Sequence, residues 1–216
     1  MPIKLEKISK SFQALNKELK VLENIDLEIK DGDALVIFGK SGAGKSTLLS
    51  LIGGMDIPTS GKVIVDGVDL ASLKPDEMAK FRKEKIGYIF QSFNLLANLK
   101  AIDNITLPVI LDTDKNKKID KIMELAAEIG IKERLAHLPG ELSLGEQQRV
   151  AIARAMINGP KIILADEPTA HLDSDNSLKI IEILKKLNRE HGVTIVLVTD
   201  HEGVAAKFEH RFRLGV

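Results

Sequence analysis

The strongest constraint on this chain is a glycine-rich segment, GKSGAGKST, that directly follows the apolar run Ala34–Phe38. It has the form G-x-x-x-x-G-K-[ST], in which backbone N–H groups surround an anion at the positive end of the next helix. Lys45 adds a charge for the outer phosphates, and the Ser46 hydroxyl is a ligand for Mg²⁺. Because a strand precedes it, an ordinary glycine-rich turn is the weaker interpretation. The predicted phosphate loop comprises Gly39, Lys40, Ser41, Gly42, Ala43, Gly44, Lys45, Ser46 and Thr47.

Charge and composition exclude several classes of protein. The 216 residues include 31 Lys and Arg and 31 Asp and Glu, so the formal net charge is zero. A neutral chain argues against nucleic acid as a partner. There are no cysteines, which excludes disulfides and thiolate metal sites. The N-terminal segment MPIKLEKISK lacks the apolar stretch of a secretory signal, and no apolar run approaches the ~18 residues that span a bilayer. If the protein serves a membrane, we expect a peripheral subunit.

Apolar runs alternate with segments of helical periodicity, which predicts an α/β fold with a mostly parallel, doubly wound sheet. Strands are predicted near residues 3–8, 21–30, 34–38, 62–66, 86–90, 161–165 and 193–198, and helices near 46–53, 75–83, 145–157 and 177–190. The early strands predict an antiparallel β patch beside a P-loop NTPase core. We assign residues 1–91 and 141–216 to this ATP-binding core.

Residues 92–140 are predicted to form an inserted helical subdomain. Strand signals fade there, and five apolar residues recur at helical spacing, namely Ile119, Ile122, Met123, Ala126 and Ile129. The segment DTDKNKK, residues 112–118, is predicted to be a polar loop within it.

Two carboxylates follow the apolar run of the predicted strand at 161–165. Parallel strands present ligand groups at their carboxyl ends, so Asp166 is placed to hold Mg²⁺. Glu167 follows it and could polarise a water molecule aimed at the γ-phosphate. An acidic strand end before Pro168 is the alternative, which the phosphate loop in the same chain disfavours.

A third motif, LSLGEQQR at residues 142–149, opens a predicted helix, and we call it the signature segment. Ser143 with Glu146 three residues later is a capping-box pattern. The same helix N-terminus is also an anion site, so capping and ligand binding share one geometry.

The order of these motifs resembles the ATP-binding subunits of ABC transporters. The resemblance includes the phosphate loop, Gln91 after a strand, the signature segment, ILADEPT, and the pair Leu172 and Asp173, and it extends over almost the whole chain. The stretches IGYIFQSFNLL and QQRVAIARAM are most similar to the lipoprotein-releasing, macrolide-export and cell-division branch.

The resemblance implies functions for further residues. Phe12 would stack on adenine, although a strand-end phenylalanine can also belong to the core. Gln91 would contact Mg²⁺ and the attacking water, although it could be a solvated loop amide. Asp173 would reach a second subunit, and it could equally cap the next helix. Implied nucleotide contacts in the signature segment are Ser143, Gly145 and Glu146.

The resemblance also implies cofactors, partners and location. ATP with Mg²⁺ would lie between the phosphate loop of one subunit and the signature segment of another, in a head-to-tail dimer. The second subunit would be another copy or a paralogous ATPase subunit. The pair would be cytoplasmic, on the inner face of the cell membrane, bound to a transmembrane permease.

The chain departs from the family pattern at two places. Leu144 replaces a glycine of the signature, near where γ-phosphate would dock. The usual histidine–aspartate pair is inverted to Asp200-His201. Either the loop shifts so that His201 still contacts γ-phosphate, which would make Glu167, Gln91 and His201 the catalytic set, or no residue has that function. We therefore expect Mg-ATP binding and dimerisation with slow hydrolysis.

Three functions remain open at this point: an ATPase that drives a permease, a cell-division-type regulatory ATPase, and a degenerate nucleotide-binding half of a heterodimer. The first is the leading hypothesis, and the two departures are the features that speak for the third. A DNA-repair ATPase is disfavoured, because the span from Gln91 to Leu142 is too short for the long coiled coils of such proteins.

Overall fold

The computed structural model describes residues 1–14, 17–110 and 115–215. The strands are β1 (Ile3–Ala14), β2 (Lys17–Ile29), β3 (Ala34–Phe38), β4 (Ser60–Val65), β5 (Val68–Asp69), β6 (Ile86–Ile89), β7 (Ile162–Asp166), β8 (Thr194–Thr199) and β9 (His210–Arg213). The helices are α1 (Lys45–Ile52), α2 (Pro75–Lys85), α3 (Ala101–Thr106), α4 (Lys115–Glu128), α5 (Leu144–Met156), α6 (Ser174–His191) and α7 (Glu202–Ala205).

In the described part of the chain the strands form two sheets. One is parallel, in the order β6-β7-β8-β3-β9, and the other is antiparallel, in the order β2-β1-β4-β5. The predicted fold class is confirmed, including the early antiparallel patch. Strands β5 and β9 were not predicted, since each is short and β9 (HRFR) has little apolar character.

The parallel sheet is covered on both faces, which explains the continuous apolar runs of its strands. Along β7, Ile163 and Ala165 face a core shared with α5 and α6, whereas Ile162 and Leu164 face a core shared with α1 and the antiparallel sheet. Strand β8 alternates in the same way. Alternate residues of these strands therefore face different cores. A polar side chain introduced on either face of the sheet would be buried.

Residues 92–140 contain α3, α4 and short 3₁₀ turns, and their apolar side chains join the core beneath α5. Ile122, Ala126 and Ile129 are buried as expected, but Ile119 is 51% exposed. Ile119 lies beside the buried face of α4, because the apolar stripe that packs against the core is narrower than the sequence suggested. Of the predicted polar loop, residues 112–114 lie outside the described residues and 115–118 belong to α4. The division into core and subdomain stays a prediction.

None of the helices in the described ranges combines the length and the apolar character needed to span a bilayer.

Candidate functional site

The carboxyl ends of three parallel strands meet at one edge of the sheet. In the register, Val198 of β8 lies beside both Ile37 of β3 and Asp166 of β7. With strands about 4.8 Å apart, the segment after β3 and the carboxylates after β7 are two strand spacings from each other. The phosphate loop and the acidic pair, 120 residues apart in sequence, are therefore neighbours in space.

The phosphate loop requires glycine at two positions for different reasons. Gly42 and Gly44 have φ of +81° and +90°, a left-handed conformation that disfavours side chains. A Cβ on Gly44 would also lie 2.9 Å from Val21 Cγ1 and from Leu22 Cδ2 of β2. The antiparallel sheet thus packs directly against the loop and holds its shape from outside.

Lys45 is the buried cation of the site, with 6% of its surface exposed. Its Nζ donates hydrogen bonds to the carbonyls of Gly39 and Lys40, each at 3.0 Å, and lies 3.8 Å from Glu167 Oε1. The loop carbonyls hold the ammonium group in place, from where it can turn to phosphate oxygens.

Ser46 and Asp166 join the two halves of this edge. Ser46 Oγ donates a hydrogen bond of 2.9 Å to Asp166 Oδ1. Burial raises the pKa of Asp166, and the Ser46 bond and the Lys45 charge oppose that rise. A hydroxyl and a carboxylate oxygen at this separation are the hard donors that a magnesium ion accepts.

Glu167 is half-buried beside Lys45, in a left-handed backbone conformation with φ of +45°. Burial raises its pKa first, and the neighbouring Asp200 carboxylate raises it further. Lys45 and a hydrogen bond from Thr199 act in the opposite direction. A carboxyl with a raised pKa takes up a proton more readily than an exposed one, which suits a general base.

Lys45, Ser46 and Glu167 border a cavity of about 300 Å³, which we call the nucleotide cavity. Its lining comprises Val21, Ser41, Gly42, Gly44, Lys45, Ser46, Thr47, Gln91, Glu167, Ala170 and Asp200. The structure therefore places both Gln91 and Asp200 on the same cavity as the phosphate loop. Val21 and Ala170 were missed by the sequence reasoning, because a small apolar residue at a strand or loop carries no motif.

His201 lies outside the nucleotide cavity. Its Nδ1 accepts a hydrogen bond from the Val204 amide at 3.3 Å and so caps α7, while its own amide donates to Thr199 Oγ1 at 3.1 Å. It lines a neighbouring cavity of about 490 Å³. Of the two alternatives for the inverted pair, this placement favours the one in which His201 does not face the phosphate loop.

The signature segment begins α5, and its predicted residues do not line the nucleotide cavity. Ser143 is the N-cap, and Glu146 closes the capping box. A Cβ on Gly145 would lie 3.0 Å from Asn176 Oδ1 of α6, so that helix packs closely against it. Leu144 is 48% exposed at the tip of the helix.

Two further predicted residues, Phe12 and Asp173, do not line the nucleotide cavity. Asp173 caps α6, accepting a hydrogen bond of 2.8 Å from the Asn176 amide. Phe12 is 41% exposed, with Lys10 Nζ 4.9 Å from its ring centroid. Phe12 is thus not part of the buried core, and adenine stacking stays a prediction. The predicted residues Gly39, Lys40, Ala43 and Asp166 are not among those that line the cavity.

A larger concavity, about 910 Å³, crosses the antiparallel sheet instead. It is shallow and lined by both signs of charge, including Lys4, Glu6, Asp26 and Lys62, and it contains no phosphate-loop residue. We assign the chemistry to the smaller cavity because only there do a buried cation, a raised-pKa carboxyl and a helix N-terminus converge.

Comparison with known proteins gives relatives over the whole length. A protein-family profile described as "ABC transporter" matches residues 22–170. The lipoprotein-releasing system ATP-binding protein LolD of Syntrophus aciditrophicus is 38% identical, over 98% of this chain and 96% of its own. The macrolide export ATP-binding/permease protein MacB of Rhodopirellula baltica is 41% identical, over 98% of this chain and 31% of its own.

A solved structure is also similar. The ATP-binding cassette MJ0796 of Methanocaldococcus jannaschii, described as a dimer in a post-hydrolysis state bound to ADP and Pi, has a TM-score of 0.89 and 42% identity. The match covers 98% of this chain and 94% of that one. The chain thus spans about a third of the length of its macrolide-export relatives, but nearly all of MJ0796.

Proposed function

Because this chain belongs to the ABC transporter family, we propose that it is an ATP-binding subunit that binds Mg-ATP at a head-to-tail dimer interface and hydrolyses it to drive a membrane permease. The observation that carries the proposal is the joining of phosphate loop and acidic strand end. Ser46 bonds Asp166 at 2.9 Å, Lys45 lies 3.8 Å from Glu167, and Lys45, Ser46 and Glu167 line one cavity.

The residues at this edge fit Mg²⁺. Ser46, Asp166 and the Gln91 amide supply hard oxygen donors, few enough to leave positions for phosphate oxygens and water. A bound Mg²⁺ would neutralise charge that develops on the β- and γ-phosphates. In this proposal Ser46 and Asp166 hold the ion, and their present hydrogen bond keeps both groups oriented for it.

The reaction uses Glu167 as the general base. It accepts a proton from a water molecule whose oxygen bonds to the γ-phosphorus, while the bond from that phosphorus to the β–γ bridging oxygen breaks. Lys45 leaves the loop carbonyls to neutralise the outer phosphates, and the amides at the start of α1 hold the phosphate oxygens. ADP and inorganic phosphate leave.

A second copy supplies the remaining contacts. Ser143 and Gly145 lie at the N-terminus of α5 and do not line the nucleotide cavity of their own chain, so the partner's signature segment is proposed to cover the γ-phosphate. Excluding water there strengthens the electrostatic contacts. That MJ0796 forms a dimer supports this arrangement.

The permease and the location extend the proposal. The macrolide export relative is named as an ATP-binding/permease protein, which supports a transmembrane partner that would hold the subunit on the inner face of the cell membrane. The neutral charge of the chain supports the absence of nucleic acid among its partners.

A second function, a slow or degenerate half of a heterodimer with a paralogous subunit, is favoured by two observations. Asp200 places a carboxylate on the nucleotide cavity, and Leu144 places an exposed branched side chain where the partner's γ-phosphate would dock. The Asp200 carboxylate would repel a polyanion, and the Leu144 side chain would hinder its docking. Neither change removes the residues of the phosphate loop.

The test is calorimetry with Mg-ATP, followed by gel filtration of Glu167→Gln. We expect saturable binding to the wild-type protein and, for the variant, a trapped ATP-bound dimer that hydrolyses nucleotide at least about a hundredfold more slowly. Glu182→Gln, which neutralises an exposed carboxylate on α6, is the matched control and should behave as wild type. Absence of saturable heat would overturn the proposal; a monomeric, ATP-bound Glu167→Gln would overturn the dimer.

A further inference from the structure

The Glu146 carboxylate is fully engaged at the N-terminus of α5. Its Oε2 accepts hydrogen bonds from the Ser143 amide at 2.9 Å and from the Ser143 hydroxyl at 3.0 Å. Its Oε1 accepts a hydrogen bond of 2.7 Å from Arg134 Nε. One oxygen therefore closes the helix cap, and the other binds a cation from a different part of the chain.

Arg134 reaches this cap from outside the helix. It ends the 3₁₀ turn Lys132–Arg134, in the 92–140 segment, and its side chain is 46% exposed against 20% for Glu146. The distance is in the short range of charge-assisted hydrogen bonds. The pKa of Glu146 falls to about 2, through the Arg134 bond first and the Ser143 amide second. Glu146 is therefore ionised at any physiological pH.

The present inference rests on the proposed function, in which this helix end receives the triphosphate of the other subunit. An ionised carboxylate there would oppose that binding. The Ser143 hydroxyl and the amides of the first turn are the groups proposed to face the partner's γ-phosphate. A carboxylate bonded to that same hydroxyl repels a polyanion, unless a cation neutralises it in place. Arg134 is the cation bonded to it.

We propose that Arg134 is a positioning residue for ATP-dependent dimerisation: it neutralises and orients Glu146, so that the signature segment can receive the triphosphate bound to the other subunit. Its effect is thus exerted in trans. The nucleotide affinity of a monomer depends on the phosphate loop, whereas the stability of the closed dimer depends on Arg134.

The experiment measures the monomer–dimer equilibrium in saturating Mg-ATP by sedimentation, with Glu167→Gln present throughout to prevent hydrolysis. We expect Arg134→Ala to raise the dimer dissociation constant about tenfold, because an unneutralised carboxylate then faces the phosphate. Arg134→Lys should recover part of the loss, since it restores the charge without the planar guanidinium. Lys132→Ala removes an exposed cation from the same 3₁₀ turn and is the matched control, expected to change the constant less than about twofold.

Combining Arg134→Ala with Glu146→Gln distinguishes the effect of an unneutralised carboxylate from the effect of losing the ion pair. If the pair only stiffens the chain, Arg134→Ala, Glu146→Gln and the double variant each break it and should weaken the dimer equally. In our proposal the double variant dimerises several-fold more tightly than Arg134→Ala alone, because no bare carboxylate remains. Melting temperatures and monomer ATP affinities of all variants are measured alongside, to identify any that are misfolded.

The outcomes are distinguishable. If the Glu167→Gln parent does not dimerise with Mg-ATP, the proposed function fails. If the parent dimerises but Arg134→Ala is no weaker than the double variant, the proposed function stands and the inference about Arg134 is wrong.

Discussion

Helices α1 and α5 both present an N-terminus as an anion site, but they are prepared differently. Gly44, the N-cap of α1, has no side chain to occupy the first amides, and the first turn of α1 carries no acid. Ser143, the N-cap of α5, accepts a hydrogen bond from the Glu146 amide, and Glu146 places a carboxylate in the first turn. The first site offers its amides to a ligand, whereas at the second the amides of Ser143 and Glu146 are already bonded within the same chain.

The difference follows from when each site binds. The phosphate loop must capture free nucleotide, so it combines open amides with the buried charge of Lys45. In the proposed function the α5 terminus stays exposed until a dimer closes, and a capping box stabilises such an exposed helix end by about 1 kcal/mol. A terminus whose cap is already bonded would bind an anion weakly alone, so closure would depend on nucleotide already held by the other subunit.

The largest expected effect compares the two helix ends directly. Lys45→Ala should weaken ATP binding to the monomer at least about a hundredfold, because the loop loses its buried cation. Ser143→Ala should still bind ATP as a monomer, but fail to form the dimer on gel filtration when combined with Glu167→Gln. Calorimetry and gel filtration of both variants check this. If Ser143→Ala lost monomer binding to the same degree, the two termini would not have separate functions.

The next effect concerns the inverted pair on the nucleotide cavity. Exchanging Asp200→His and His201→Asp replaces a carboxylate near the γ-phosphate by an imidazole, and aspartate retains the capping of α7. We expect turnover to rise about tenfold, from the removal of a repulsion worth roughly 1–2 kcal/mol. Steady-state hydrolysis is the measurement, with His201→Asp alone as the control. An unchanged rate in the exchanged variant would mean that the inverted pair does not limit turnover.

The sequence predicted the phosphate loop and the acidic strand end because each is a local motif next to a strand, whereas Gln91 was indicated by the family resemblance. The course of the chain after β8, which ends at Thr199, places Asp200 rather than His201 on the nucleotide cavity, and no local motif indicates this. Contacts between distant segments could not be predicted either: Val21 against Gly44, and Arg134 on Glu146, follow no spacing rule. Leu178 shares the helical spacing of the buried Ile181 and Leu184 in α6 but is 46% exposed, because periodicity indicates a helical face and not how wide a part of it is covered by packing.

A smaller effect is a shift in pH dependence. Glu167 must be ionised to act as base, so hydrolysis falls as the pH drops through its raised pKa. Burial and the Asp200 carboxylate both raise the pKa of Glu167. Asp200→Asn removes the charge and leaves the burial unchanged. The pKa of Glu167 should therefore decrease, and the acid limb of kcat/KM should move to lower pH, which rate profiles between about pH 5 and 8 would reveal. A shift toward higher pH would contradict the assignment of Glu167 or of its neighbour.

The smallest expected effect returns to the α5 terminus. Leu144 is 48% exposed, so shortening it creates no cavity in the core. At the first position of the helix, glycine costs less than in the interior, since the first amides have no partners inside the helix. Leu144→Gly should therefore lower the dissociation constant of the ATP-bound Glu167→Gln dimer about threefold. Leu144→Ala should give a value between those of the leucine parent and the glycine variant. Sedimentation in Mg-ATP measures it. Were Leu144→Gly to dimerise more weakly, the leucine would be packing against the partner, and the family glycine would not be what this interface lacks.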